Sequence, residues 1–174
     1  MKKWILGVLV ICLVFLIGSE LYSTFKKSNE KESIDSSRVV QATDFTLPLL
    51  DGEMMTLQEH KGKIVILSFW ASWCEPCNTE MPHLQDFYEE HQGDIEILAV
   101  NVTNKDRVTN VEKFVKKYQL TFPVLLDESG DTSTMYGAFT IPTTIIIDRE
   151  GNINQELLGP MEEALLDDLI KPLY

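Results

Sequence analysis

Cysteine is scarce in this chain of 174 residues: there are three, Cys12, Cys74 and Cys77. A disulfide scaffold needs several pairs, and Cys12 sits inside an apolar run, so the one pair is local and the fold must stand on a hydrophobic core. Histidine is equally scarce. His60, His83 and His91 form no pair at helical spacing, so the two neighbouring cysteines lack the partners that a four-ligand zinc site requires. Basic residues are outnumbered, 15 Lys and Arg against 27 Asp and Glu, for a net charge of -12. They are scattered, and no basic face is available to neutralise a nucleic-acid backbone. Gly and Pro are not enriched, and there is no repeat at solenoid periods and no low-complexity tract. These absences exclude disulfide-scaffold, solenoid and nucleic-acid-binding classes. One ordinary globular domain with an acidic surface remains.

Charge is absent between Trp4 and Gly18, and apolar character resumes after Glu20 with Leu21, Tyr22 and Phe25. Such a run meets a membrane. About 15 uncharged residues make roughly 22 Å of helix against ~30 Å of hydrocarbon, so spanning recruits residues to about Tyr22. A cleavable secretory signal ends in a small-x-small site. The pairs Ile17/Ser19, Gly18/Glu20 and Leu21/Ser23 each have one poor member, so residues 1–25 read as a retained anchor. Cys12, preceded by bulky Ile11, reads as an inert apolar cysteine and not as a lipidation site. Lys2 and Lys3 face Lys26, Lys27 and Lys31 across the run, leaving the positive-inside count nearly tied. The order of charged stub, apolar run and polar follow-on is that of an export signal, so the domain is expected outside. Residues 26–38, with the polar stretch "SNEKESIDSS", form a flexible tether, and residues 39–174 the domain.

Within the domain, "DFTLPLL" and a short strand near Met54 to Leu57 flank a turn at Asp51-Gly52, an opening hairpin. The continuous runs "IVILSFW" from Ile64 and "IEILAVNV" from Ile95 read as strands buried on both faces. A helix to about His91 lies between them, and "VEKFVKKY" puts Val111, Phe114, Val115 and Tyr118 on one helical face. "FPVLLD" is a further short strand, and "TSTMYG" a short helix closed by Gly137. "TTIIIDREGNINQELL" is a hairpin turning at Asp148 to Gly151, and "MEEALLDDLIKPL" a closing amphipathic helix. Strand-helix-strand first and hairpin-helix last predicts an α/β domain: a central mixed β-sheet with helices on both faces and an N-terminal β-hairpin extension.

The stretch "FWASWCEPCNTEMPHL" carries the cysteine pair. If Ser72 were the N-cap, Pro76 would fall at the fourth helical position, where its missing N–H forfeits a hydrogen bond. With Cys74 as N-cap, Pro76 sits in the first turn, where no donor is needed, and Cys77 lies one turn on along the same face. Both sulfurs then meet at a helix N-terminus, a geometry that reversible disulfide exchange needs. A permanent disulfide across so short a loop removes little unfolded-chain entropy and stabilises weakly. Redox chemistry is therefore preferred to metal binding or stapling. The segment from Ser68 to Met81 holds no Lys or Arg but two carboxylates, Glu75 and Glu80. A carboxylate at about 7 Å opposes a thiolate by roughly 1 to 2 kcal/mol at an effective dielectric near 20 to 40. The helix terminus offsets this by roughly 0.3 to 2 kcal/mol. No net thiolate stabilisation is left, which predicts a low-potential reductant and not a strong oxidant.

"FWASWCEPC", followed by "IPTT" roughly 65 residues on and set in this strand order, resembles the thioredoxin fold. Within it, the chain from about Val39 to its end is similar to the membrane-tethered ResA/TlpA-like thiol-disulfide oxidoreductases of bacteria. The resemblance implies that Cys74 is the nucleophile and Cys77 the resolver. It also implies that Pro142 is cis and lies beside the cysteines, so that the backbone of Ile141 can pair with an extended substrate segment. Glu80 is a candidate acceptor of the Cys77 proton, provided burial raises its pKa; the alternative is a surface glutamate favoured by the helix dipole. Trp73, Glu75 and Pro76 are assigned to the substrate-contacting surface and Trp70 to the core, while Pro82 is expected to bend the helix by removing the hydrogen bond to Asn78.

No metal or cofactor is implied. The implied partners are proteins with disulfides, apocytochrome c before haem attachment among them, and a membrane thiol-disulfide electron donor. The chain is expected to be a monomer in the bacterial cell membrane with its domain on the outer side. Two other functions are weighed. A thioredoxin-fold peroxidase needs a Thr or Ser and a proline ahead of the attacking cysteine, and "FWASWC" has no such proline. A copper carrier spaces its cysteines one residue wider and uses a distant histidine, and no candidate lies near Pro142 in the sequence.

Overall fold

The computed structural model describes residues 40–91 and 93–174. The anchor assigned to residues 1–25, the tether at 26–38 and Cys12 lie outside the described residues. Among those described, no helix is long and apolar enough to cross a membrane.

The chain enters through a two-residue strand, β1 (Val40–Gln41), then forms the expected hairpin from β2 (Thr46–Pro48) and β3 (Met54–Thr56). β4 (Ile64–Trp70) and β5 (Ile95–Asn101) are buried at every position, as their largely apolar runs predict, with Ser68, Glu96 and Asn101 buried among them. They pair in parallel from Ile64↔Ile95 to Trp70↔Asn101. Parallel neighbours cannot be joined by a tight turn, and α1 (Glu75–Glu90) makes the crossover. α2 (Val108–Tyr118) leads to β6 (Val124–Leu126), which extends the parallel set beside β5. After the short α3 (Asp131–Met135), β7 (Thr143–Ile147) pairs antiparallel with the other edge of β4, and β8 (Asn152–Leu158) folds back on β7. α4 (Glu163–Ile170) closes the chain. The six-stranded sheet runs β1-β8-β7-β4-β5-β6, mixed as predicted.

β1 was not foreseen. It pairs antiparallel with β8 through Val40↔Ile153 and Gln41↔Asn152, and both its residues are exposed, so it leaves no alternation for sequence reading to detect. The β7–β8 turn falls where expected: Gly151 N–H donates to the Asp148 carbonyl (3.0 Å), with Gly151 at φ 88°, a conformation that side chains resist.

The pleat sends alternate residues of β4 into two cores. Ile64, Ile66 and Trp70 meet Met81, Leu84 and Phe87 of α1, Val111 and Phe114 of α2, and Leu166 and Ile170 of α4. Val65, Leu67 and Phe69 meet Phe45 and Leu47 from the hairpin, Leu57 after it, and Tyr136 and Ala138 after α3. Helices therefore occupy both faces, but unequally: three lie on one, while α3 shares the other with the hairpin. Trp70 is fully buried, its ring centroid 4.6 Å from that of Phe114. Of the stripe predicted on α2, Val111 and Phe114 are buried, whereas Val115 and Tyr118 are partly so.

Candidate active site

Cys74 is the N-cap of α1, with extended backbone (φ -78°, ψ 110°), and the Cys77 N–H donates to Cys74 Sγ at 3.3 Å. Its carbonyl accepts the first helical bond, from Asn78 N at 3.3 Å. Pro76 therefore occupies the first turn, where α1 tolerates a missing donor. The two cysteines are joined in a disulfide. Cys74 is 4% exposed and Cys77 not at all, so the residue that the resemblance makes the nucleophile only grazes the surface. Around it, Trp73 (58% exposed), Glu75 and Pro76 face solvent.

Glu80, three residues after Cys77 on α1, is 1% exposed. The surface-glutamate alternative is thereby overturned. Thr144 Oγ1, from β7, donates to Glu80 Oε1 at 3.2 Å, while Oε2 has no hydrogen-bond partner among the described residues. Burial pushes the carboxyl up to about 7, and the Thr144 bond pulls the other way with less effect. A carboxyl poised near neutrality can hold or release a proton at physiological pH.

The Ile141–Pro142 bond is cis. Pro142 leads directly into β7, whose Thr143 is in register with Phe69 of β4. β4 ends one residue later and runs on to Cys74, so Pro142 and the disulfide share one end of the sheet. The Pro142 carbonyl is already engaged by the Gly159 N–H (2.9 Å), and Ile141 packs half-buried against both cores.

Other residues of the site escaped the sequence reading. Ser72, rejected as N-cap, instead donates its N–H to Asp106 Oδ2 (2.6 Å) and its hydroxyl to Asp106 Oδ1 (2.7 Å). The Trp73 indole N–H donates to the Lys105 carbonyl at 2.8 Å. Asp106 also accepts from Asn101 Nδ2 (3.0 Å) and from Arg107 N (2.7 Å). Burial alone would raise its carboxyl, but the two bonds from Ser72 and those from Asn101 and Arg107 outweigh it and hold the pKa down. On the far side of α1, Asn78 Nδ2 donates to the Cys74 carbonyl (3.1 Å), and Tyr118 OH donates to Asn78 Oδ1 (3.1 Å). No local pattern announces the partners of Ser72, Trp73 and Asn78 across the fold, because Asp106, Lys105 and Tyr118 lie more than thirty residues from the groups they hold.

Comparison with known proteins agrees with this geometry. A family model described as the AhpC/TSA family matches residues 40–156. The thioredoxin-like protein YneN of Bacillus subtilis is 39% identical over 168 residues, covering 96% of this chain and 96% of that protein. The thiol-disulfide oxidoreductase ResA of Bacillus cereus is 34% identical over 177 residues, covering 99% of each. Among solved structures, StoA from Bacillus subtilis matches at TM-score 0.65 and 35% identity, over 73% of this chain and 96% of that one. A thiol:disulfide interchange protein of the thioredoxin family from Chlorobium tepidum matches at TM-score 0.70 and 27% identity, over 79% and 98%. Kinship along nearly the whole length, on a sheet that presents a Cys-x-x-Cys disulfide at the head of its crossover helix, makes this chain a member of the AhpC/TSA family and a thiol-disulfide oxidoreductase of thioredoxin fold.

Proposed function

We propose that this oxidoreductase is a membrane-tethered, extracytoplasmic reductant of protein disulfides, working at low potential. The observation that carries the reading is Glu80, buried one helical turn beyond Cys77, in a segment from Ser68 to Met81 that holds no basic residue. The Cys74 thiolate attacks one sulfur of a substrate disulfide; the substrate S–S bond breaks, a mixed disulfide forms and the leaving thiolate takes a proton. Cys77, surrendering its proton to Glu80, then attacks Cys74 Sγ and releases the second substrate thiol. Two electrons have passed to the substrate, and the Cys74–Cys77 bond has closed. A membrane thiol-disulfide donor resets the pair.

Direction follows from charge. Thiolate stabilisation favours the reduced enzyme and makes an oxidant. Here the Cys77 amide and the helix terminus favour a Cys74 thiolate, while Glu75 and an ionised Glu80 oppose it. Trp73, Glu75 and Pro76 form the surface that meets substrate, and the backbone of Ile141, ahead of the cis Pro142, aligns an extended segment beside Cys74. The anchor at residues 1–25 and the domain's position outside the membrane rest on the sequence pattern described above. Apocytochrome c and other envelope proteins are the substrate class.

Two measurements test this. Equilibration of the full-length chain with dithiothreitol buffers is expected to give a midpoint at or below about -230 mV; a value near -120 mV, in the range of strong oxidants, contradicts it. Cys77→Ala is expected to accumulate envelope proteins disulfide-linked to Cys74, and recovery of none contradicts the assignment.

A further inference from the structure

The end of β4 and the segment ahead of Cys74 are tied to the end of β5 and its connection to α2 by five hydrogen bonds. The Trp70 carbonyl accepts from Val102 N (2.9 Å) and from Asn101 Nδ2 (3.4 Å). The other three are the pair from Ser72 to Asp106 and the one from Trp73 to the Lys105 carbonyl. Residues 72 and 73 are thus fastened to 106 and 105 through side chains: the Asp106 carboxylate and the Trp73 indole.

We infer that Asp106 is a positioning residue, which locks the exposed Trp73 ring into a fixed platform on which the polypeptide carrying the target disulfide docks. The inference rests on the reading of Trp73 as a substrate contact. Trp73 is more than half exposed, which is unusual for so large an apolar group, and its one polar atom is already satisfied by Lys105. What the ring offers a partner is therefore apolar area. A tryptophan swinging on a loose loop would lose rotational freedom on docking, and that loss would subtract from affinity. The clasp removes the freedom in advance. The Lys105 carbonyl can hold the indole only if residues 105 and 106 are themselves placed, and the Asp106 carboxylate does this. Each of its oxygens accepts two bonds, Oδ2 from Ser72 N and Asn101 Nδ2, Oδ1 from Ser72 Oγ and Arg107 N. A neutral side chain of the same shape cannot accept all four.

A small disulfide needs only the sulfur of Cys74, whereas a protein disulfide also needs the platform. The test compares bovine insulin with 5,5′-dithiobis(2-nitrobenzoate) as oxidants of the reduced full-length chain. Asp106→Asn is expected to lower kcat/KM for insulin about tenfold through a higher KM, and to lower the ratio of insulin to small-disulfide efficiency at least about fivefold. Ser72→Ala, which removes one bond of the clasp, is expected to act in the same direction by about threefold, and decides the matter if Asp106→Asn does not fold. Insulin efficiency within about twofold of the parent, or a parallel loss for both oxidants, overturns the inference. Trp73→Ala separates the two layers. If it lowers insulin efficiency while the Asp106 and Ser72 variants do not, the clasp idea fails alone. If it has no effect on insulin, the docking role of Trp73 fails, and the inference with it.

Discussion

Thr144 Oγ1 donates to Glu80 Oε1 at 3.2 Å, joining residues 64 apart in sequence and pinning a buried carboxyl, one helical turn beyond Cys77, to a strand of the central sheet. Thr144 stands opposite Ser68 in the β4–β7 register and is fully buried, and Glu80 itself is 1% exposed. A desolvated carboxyl whose second oxygen has no partner among the described residues is suited to proton exchange with a neighbour.

Rates should follow the Glu80 proton. With its pKa raised to about 7 by burial, Glu80 is protonated in mild acid and becomes a base above neutrality. Reduction of insulin is expected to accelerate between pH 6 and 8, and Glu80→Gln to slow it at pH 8 by about 100-fold while flattening that rise. Initial rates across this range are the measurement. An undiminished rise in the Gln variant would place the base elsewhere.

Stability should move the opposite way. The folded-state value of about 7 lies above the ordinary 4.5, so between these values only the folded protein holds the proton. Stability is full below the ordinary value and falls as pH rises through the folded one. The shift corresponds to about 3 kcal/mol at most. Glu80→Gln, neutral throughout, is expected to match the parent near pH 4 and to exceed it by up to about 3 kcal/mol at pH 8, read from urea unfolding. Equal stability at pH 8 would contradict the burial cost.

Glu96 on β5 gives the reverse case. It accepts from Lys63 Nζ and Tyr88 OH, each at 2.9 Å, with His60 Nδ1 at 3.5 Å. Burial alone would raise its carboxyl, but the bonds from His60, Lys63 and Tyr88 and the Lys63 charge outweigh this and hold it at about 2. Its contribution is present above the ordinary 4.5 and is lost as pH falls toward about 2. Glu96→Gln is expected to cost about 2 kcal/mol at pH 7 and little near pH 2, again by urea unfolding. A pH-independent difference would rule out the charge as its source.

Much of this protein is written locally. The runs at Ile64 and Ile95 announce β4 and β5, because a strand covered on both faces needs apolar residues at consecutive positions. Pro76 argues against Ser72 as the cap, since a residue without an N–H costs nothing in the first turn, and with Cys74 as the cap Cys77 falls one turn on along the same face. Asp148 to Gly151 marks the last hairpin through turn chemistry. β1 and the unequal share of helices on the two faces were not legible, for the first is two exposed residues and the second depends on which core each short segment joins.

The sequence by itself determined the redox pair, its place at a helix head and the order of strands and helices from β2 onward, because each follows from spacing, side-chain shape or missing donors within a few residues. Whether Glu80 faces water or the core, what grips Ser72 and Trp73, and which residue holds the Glu80 carboxyl were decided only by tertiary structure. Burial and hydrogen-bond partners depend on which distant segments pack together, and no local run of residues encodes its neighbour across a sheet.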